Sequence, residues 1–484
     1  MKIAIVAAEM GPHAKAGGLA DVIGALPQAF QHAGAEPLVI VPAYRSLLEK
    51  ISTAGAAAPR EIEFGDERES FRVIRAEDAG GVPLWLIDHP GFFDRAGIYG
   101  ETGVDYPDNA RRFVFFGRAA AIVAAELGPD VLHTHDWHAA TAAIVARADG
   151  AIRERLAGAI SAFTIHNLAF QGLLEAHDFP RLGIDWSWYS VDCLEFYGRV
   201  NLMKGAVVLA DGVATVSRSY AHDVAIDPLM SFGLNGVLEG KGERFVGILN
   251  GADYDEWDPA KDALIAARYS PARRAGKKAC LYDLREEFKL PHRIDAPLLG
   301  MVSRLTEQKG VDLLADALEA ILADDLQLVM LVSGDAGLEG FFRGAAQRHA
   351  DKLRVVTSFD NALAHRIQAG SNMFLMPSRY EPCGLTQMYA LKYGTAPIVH
   401  ATGGLKETVS DFDPATAMGN GFTFTRFEPD ALADAVHRAT VLFRDPRNWK
   451  RVVDNCFKAD FSWARAAQEY LKWFESLRGV RASG

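Results

Sequence analysis

Two segments far apart in the chain each bring a cation to the point where an apolar strand gives way to a helix. Near the N-terminus the run Met1 to Ala8 leads into the loop Lys15-Ala-Gly-Gly-Leu-Ala-Asp-Val22. In the second half, an apolar run ending at Ser303 is followed by Arg304 and then by Gln308, Lys309 and Gly310. At such an edge of an open α/β sheet, backbone N–H groups and the positive end of a helix dipole converge, which suits a phosphorylated ligand. The dipole alone disfavours cations there, so Arg304 and Lys309 point to an anion that compensates them. In the first segment, Gly17 and Gly18 leave amides uncovered, and Lys15 offers a point charge to a phosphate or sugar oxygen. Glycines at such a turn also serve backbone geometry or close helix packing, and Asp21 has a plain role as a cap or charge complement to its helix. Two such edges suggest one ligand held between two domains.

A third segment has related chemistry. Glu381, Pro382, Cys383 and Gly384 lie between an apolar strand, Asn372–Met376, and a helical run from Leu385 to Tyr393. Amides at the helix start, from Cys383 through Leu385, suit sugar hydroxyls and phosphate, and Glu381 can accept hydrogen bonds from hydroxyls. A Glu near a helix start is also common for dipole reasons. Thr402, Gly403 and Gly404 offer further amides. His133, His135, Asp136 and His138 raise the question of a metal, because residues two apart on a strand share a face. No further ligand motif accompanies them, so no metal is expected; Asp136 then orients a sugar or a nearby cation while the histidines pack at the sheet edge.

The elements that must position these residues alternate strand and helix throughout, the pattern of parallel sheets covered by helices on both faces. Expected strands in the first half are Ile3–Ala8, Leu38–Val41, Leu84–Ile87, Val131–His135, Ala162–His166 and Gly212–Val216, with helices at Asp21–His32, Asp108–Leu127 and Leu202–Ala210. In the second half they are Leu298–Ser303, Leu328–Ser333, Arg354–Thr357, Asn372–Met376 and Ile398–His400. A chain of 484 residues exceeds what one hydrophobic core organises. The polar, turn-rich segment 248–259 marks a crossover between an N-terminal Rossmann-like domain, 1–247, and a second, 260–460, with a terminal helix in 461–484 that carries one apolar stripe.

A net charge of −11 argues against nucleic-acid and anionic-membrane partners. Cys193, Cys280, Cys383 and Cys456 are widely spaced and read as reduced thiols in the cytoplasm. The apolar opening stops at Glu9 without a cleavage pattern and is expected to be a strand, and charged residues interrupt every longer apolar run.

Taken in order, Lys15 to Val22, His133-Thr-His-Asp-Trp-His138, Thr164-Ile-His-Asn-Leu168, Val302-Ser-Arg-Leu305 with Gln308-Lys-Gly310, and Glu381-Pro-Cys-Gly-Leu-Thr-Gln387 resemble the bacterial glycogen synthases of the starch/glycogen synthase family. The resemblance implies a GT-B architecture, two Rossmann-like domains facing a deep cleft. It implies retaining transfer of glucose from ADP-glucose to the non-reducing 4-hydroxyl of glycogen or another α-1,4-glucan, with no cofactor. Arg304, Lys309, Glu381, His166 and Lys15 then form the catalytic set. Gly17, Gly18, Asp21, Tyr99, Asp136, Asn250, Cys383, Gly384, Leu385, Thr402, Gly403 and Gly404 contact substrate. Tyr389 stands where many relatives of the fold carry a second Glu for the nucleotide ribose. One rival is a glucan phosphorylase, which shares the architecture but needs a lysine-bound pyridoxal phosphate. Another is a regulatory protein that only binds nucleotide sugars.

Overall fold

The computed structural model describes residues 1–101, 103–358 and 360–483. The chain forms two compact units, Met1–Gly251 together with Trp463–Gly484, and Ala252–Ser462.

The first unit is built on a ten-stranded sheet: β1 (Lys2–Val6), β2 (Glu36–Pro42), β3 (Thr53–Ala56), β4 (Arg60–Phe64), β5 (Glu67–Glu77), β6 (Pro83–Asp88), β7 (Val131–His135), β8 (Ile160–Ile165), β9 (Gly212–Thr215) and β10 (Phe245–Gly247). Its order is β10-β9-β8-β7-β1-β2-β6-β5-β3, with β4 paired on β5. The central strands β1, β7 and β8 are parallel, and nearly every residue in them is buried, as continuous apolar runs between two helical layers require. Register places Ile5 between Val39 and His133. The chain leaves β1 for β2 and β6 on one side, then returns to β7 on the other. The order therefore reverses between β1 and β7, and at such a point the loops after adjacent strands part to leave a crevice.

Strands β3, β4 and β5 depart from the all-parallel expectation. They run antiparallel, and β4 and β5 are joined through Gly65, which has φ +65°, and Asp66. Burial alternates along β5, so this edge is covered on one face only. A Gly-Asp turn between two alternating runs was the legible signal for this hairpin.

The C-terminal helix, Trp463–Ser483, packs into the first unit's core. Tyr470 and Phe474 each meet the Phe30 ring at 6.1 Å, on the helix Gly18–His32. Its apolar stripe thus stabilises the helix that follows the glycine-rich loop.

The second unit has a six-stranded sheet, all parallel: β11 (Leu298–Leu305), β12 (Gln327–Gly334), β13 (Leu353–Thr357), β14 (Met373–Met376), β15 (Ala396–His400) and β16 (Phe422–Phe424). The order β13-β12-β11-β14-β15-β16 is that of a Rossmann sheet and reverses between β11 and β14. At the start of this unit Trp257 lies sandwiched between His365, 3.7 Å away, and Tyr389, 4.4 Å away, with nearly parallel rings. His365 Nδ1 bonds Asp262 at 2.8 Å, and the Tyr393 hydroxyl donates to the same carboxylate. Burial pushes His365 down, but bonding to Asp262 and the nearby Glu256 carboxylate leave it above its ordinary value.

Candidate active site

In the first unit the loop after β1 is folded onto Glu9, a residue that sequence reasoning used only to end a strand. Glu9 is buried, and its Oε2 accepts the amides of Ala16 at 2.8 Å and Gly17 at 2.7 Å. Its Oε1 accepts the Tyr99 hydroxyl at 2.7 Å. Charge-assisted bonds of this kind contribute about 1.5–3 kcal/mol each. The Gly17 amide, expected to be uncovered, is therefore engaged inside the protein, because a buried carboxylate after β1 needs donors and the loop supplies them. Lys15 pairs with Asp21 at 2.5 Å, so Asp21 complements a lysine as well as the first turn of its helix. The helix begins at Gly18, three residues before the expected start, with Gly17 as its N-cap.

On the other side of the reversal, β7 ends at His135 and Asp136 opens a helix with φ +57°, a left-handed backbone held at the strand-to-helix junction. Asp136 Oδ1 accepts the His166 amide at 2.7 Å, tying the ends of β7 and β8 together. Burial is the main cause that raises Asp136 to about 7, against hydrogen bonds that lower it. His135 Nδ1 and His166 Nε2 lie 2.9 Å apart, and His133 Nε2 meets Thr164 Oγ1 at 2.8 Å. His138 stacks on Tyr99 at 4.7 Å. Burial lowers His133, His138 and His166 to about 3, so these rings are neutral at pH 7. Among the described residues no group of three His, Cys, Asp or Glu side chains is arranged to hold a metal.

The structure thus brings Lys15, Gly17, Asp21, Tyr99, Asp136 and His166 to one reversal point, with Gly18 opening its helix. Asn250 stands apart, beyond the end of the edge strand β10. It is buried, and its Oδ1 has no hydrogen-bond partner among the described residues.

In the second unit, Arg304 is the penultimate residue of β11; its side chain is exposed and has no hydrogen bond or ion pair among the described residues. Lys309 closes the short 3₁₀ turn Glu307–Lys309, and its Nζ reaches Glu381 Oε2 at 2.6 Å. Ser378 Oγ donates to the same oxygen at 3.1 Å. The expected cation and the expected acceptor of sugar hydroxyls are therefore an ion pair, one oxygen of which is taken. Glu381 is the more buried partner, so Lys309 supplies its charge compensation.

Backbone contacts hold this arrangement. Gly310 has φ +65°, and a Cβ there would fall 1.9 Å from Pro377 O. A Cβ on Gly403, φ +44°, would fall 2.1 Å from Glu381 O. The Gly404 amide donates to Glu381 O at 3.0 Å, and the Thr402 amide to His400 O at 2.8 Å. Two of the three amides expected to face a ligand in that segment thus bond internally, Thr402 in a local turn at the end of β15 and Gly404 to the loop after β14. Cys383 is buried, and the carbonyls of Cys383 and Gly384 accept from Gln387 Nε2. Leu385 is the N-cap of the helix Thr386–Lys392, a shorter run than expected. Tyr389 lies buried in the Trp257 stack.

Two Rossmann-like sheets, each gathering these residues at its strand-order reversal, define a glycosyltransferase of the GT-B fold. Residues 2–240 match the model of the starch synthase catalytic domain, and 284–450 that of glycosyl transferases group 1. A glycogen synthase of Anaeromyxobacter dehalogenans is 43% identical over 486 residues, covering 99% of this chain and 100% of that protein. A glycogen synthase of Koribacter versatilis is 42% identical, covering 100% of this chain and 99% of that protein. The solved catalytic domain of starch synthase IV from Arabidopsis thaliana, bound to ADP and acarbose, superposes with a TM-score of 0.90 at 33% identity, covering 99% of each chain. The chain belongs to the glycogen synthase family.

Proposed function

We propose that the chain transfers glucose from ADP-glucose to the non-reducing 4-hydroxyl of an α-1,4-glucan with retention, releasing ADP. The observation that carries this reading is the pair of cations after the apolar run of β11, where exposed Arg304 is followed five residues on by Lys309, paired with Glu381. As the bond from glucose C1 to the phosphate oxygen breaks, negative charge grows on the departing diphosphate. Fixed cations stabilise that charge more in the transition state than in the ground state. The acceptor oxygen forms the new bond to C1, and its proton passes to the leaving phosphate on the same face. Glu381 and the loop from Cys383 to Leu385 take glucose hydroxyls, with Thr402 and Gly403 beside them. In the first unit, His166 offers a neutral ring and Asp136 a carboxyl group to the sugar, and Lys15 a charge to the donor. Tyr99 and Gly18 line the same edge, and Asn250 uses its unpartnered oxygen. A nucleotide-sugar donor and a glucan acceptor accord with the named relatives, and the ADP in the plant structure supports the adenine nucleotide. The reading places the chain in the cytoplasm, in keeping with four free buried cysteines. Among the described residues no helix is long and apolar enough to cross a membrane.

The test is incorporation of labelled glucose into glycogen, with kcat/KM measured side by side for ADP-glucose and UDP-glucose. ADP-glucose is expected to be used much better. Equal values or a UDP-glucose preference overturn the donor assignment, and absence of transfer from either overturns the reading.

A further inference from the structure

The ends of β7 and β8 are joined by a hydrogen bond between two imidazoles, and such a bond fixes which nitrogen of each ring holds the proton. His133 and His135 share one face of β7, and register sets Thr164 of β8 opposite His135. His133 Nε2 meets Thr164 Oγ1 at 2.8 Å, and one step further along the strands His135 Nδ1 meets His166 Nε2 at 2.9 Å. His133 and His135 are fully buried. His166 is half-buried, and its Nδ1 has no hydrogen-bond partner among the described residues. Of the two rings, His166 is therefore the one a ligand can reach.

Burial drives both rings below the ordinary imidazole range, so each is neutral and carries one proton. Only one of the two facing nitrogens then bears hydrogen. If His166 Nε2 bore it, His135 would keep its own proton on Nε2, which is buried and has no partner among the described residues. If His135 Nδ1 bears it, the atom left there is a bare nitrogen. A buried N–H without an acceptor is rarer in proteins than a buried acceptor without a donor, which favours the second assignment. His166 then accepts at Nε2 and holds its proton on Nδ1.

We propose that His135 is a positioning residue that fixes His166 as the Nδ1–H tautomer and so presents a hydrogen-bond donor to an oxygen of the bound sugar. The proposal rests on the functional reading above. A donor set before the substrate arrives needs no reorganisation during reaction. The opposite tautomer would turn a lone pair toward the same place, where only a hydroxyl could meet it. The main chain is held from the same side, since Asp136 Oδ1 accepts the His166 amide at 2.7 Å. Adjacent residues at the end of β7 thus set both the proton and the backbone of His166.

Imidazole NMR on the full chain with nitrogen-15 histidine reads the tautomer in the resting protein, with His135→Phe and His166→Ala assigning the signals. The expected result is a protonated Nδ1 and a bare Nε2 on His166. His135→Phe keeps a buried ring but removes the donor, and is expected to lower kcat roughly ten- to a hundredfold. His135→Asn, whose amide donates from a similar place, should recover most of that loss even where its melting temperature is the lower of the two. A proton on His166 Nε2 in the wild type overturns the proposal, as does wild-type kcat in the Phe variant. Turnover that follows melting temperature across both variants, rather than the capacity to donate, also overturns it. Absence of transfer by the wild type falls on the functional reading instead, and the NMR signals still decide the tautomer.

Discussion

The two reversal points are built on the same strand-order logic but differ in charge. In the first unit the loop amides are bonded within the protein: Glu9 holds the glycine-loop amides and Tyr99, Asp136 holds the His166 amide, and the surrounding imidazoles are neutral, with His133 Nδ1, His135 Nε2 and His138 Nδ1 left without partners among the described residues. In the second unit Arg304 is exposed, and the Lys309–Glu381 pair leaves part of its carboxylate for other donors. A buried polar edge whose carboxylate Glu9 is held by internal donors suits sugar hydroxyls, which need oriented partners. A cationic edge suits a leaving diphosphate. One fold element therefore yields two electrostatic settings, according to whether its charges are paired within the protein.

Breaking the cationic edge should have the largest effect. Arg304→Ala and Lys309→Ala are each expected to lower kcat by about 10²–10³. Their stabilities should differ. Arg304→Ala leaves thermal stability unchanged, whereas Lys309→Ala strands the buried Glu381 and costs about 1–3 kcal/mol. Melting curves beside kcat decide this, and equal stability loss in both variants contradicts the pairing. Adding Glu381→Gln to Lys309→Ala should recover part of that stability without recovering turnover, because the stranded charge is gone.

Removing the internal satisfaction of the other edge comes next. Glu9→Ala leaves two loop amides without their acceptor and is expected to cost about 2–4 kcal/mol with a fall in activity, while Tyr99→Phe, which keeps the amide bonds, costs about 1.5–3 kcal/mol. If Glu9→Ala melts like wild type, the loop is held by something else.

The smallest effect separates the units by pH. His133 and His138 have folded values near 3, below the unfolded value of about 6.5. The unfolded chain therefore binds more protons in that window, and stability falls as pH drops below 6.5, by about 1.4 kcal/mol per group per pH unit. Asp136, raised to about 7, acts in the opposite direction: it favours the fold when protonated, and this contribution is lost as pH rises from its unfolded value to its folded one. Two histidines outweigh one aspartate below pH 6. In the second unit His365 is raised, so its contribution is retained on acidification. Hydrogen exchange at pH 7.5 and 5.5 should show protection lost mainly in the first unit, and equal loss in both contradicts this assignment.

Both sheets could be read from the chain because parallel strands buried on two faces leave unbroken apolar runs, as at Leu328–Ser333 and Val131–His135. Arg304, Lys309 and Glu381 were legible because they follow such runs directly. Glu9 was not, since nothing local says that a carboxylate after a strand folds back onto amides seven and eight residues later. The Lys309–Glu381 pair spans 72 positions, and pairing at that distance is set by strand order rather than by pattern. The stacking of Tyr389 on Trp257 was hidden for the same reason. The hairpin at Gly65 was visible in its alternation and was overlooked because helices were expected on both sheet faces.

The contact of Gly310 with Pro377 O joins main chain to main chain, with no side chain between them. A joint of that kind has no adjustable part. Substitution elsewhere can change the surroundings of Arg304, Lys309 and Glu381, but not the spacing of the loops after β11 and β14. In engineering terms, the side chains on these loops are open to redesign, while the interval between the loops behaves as a fixed dimension of the tool.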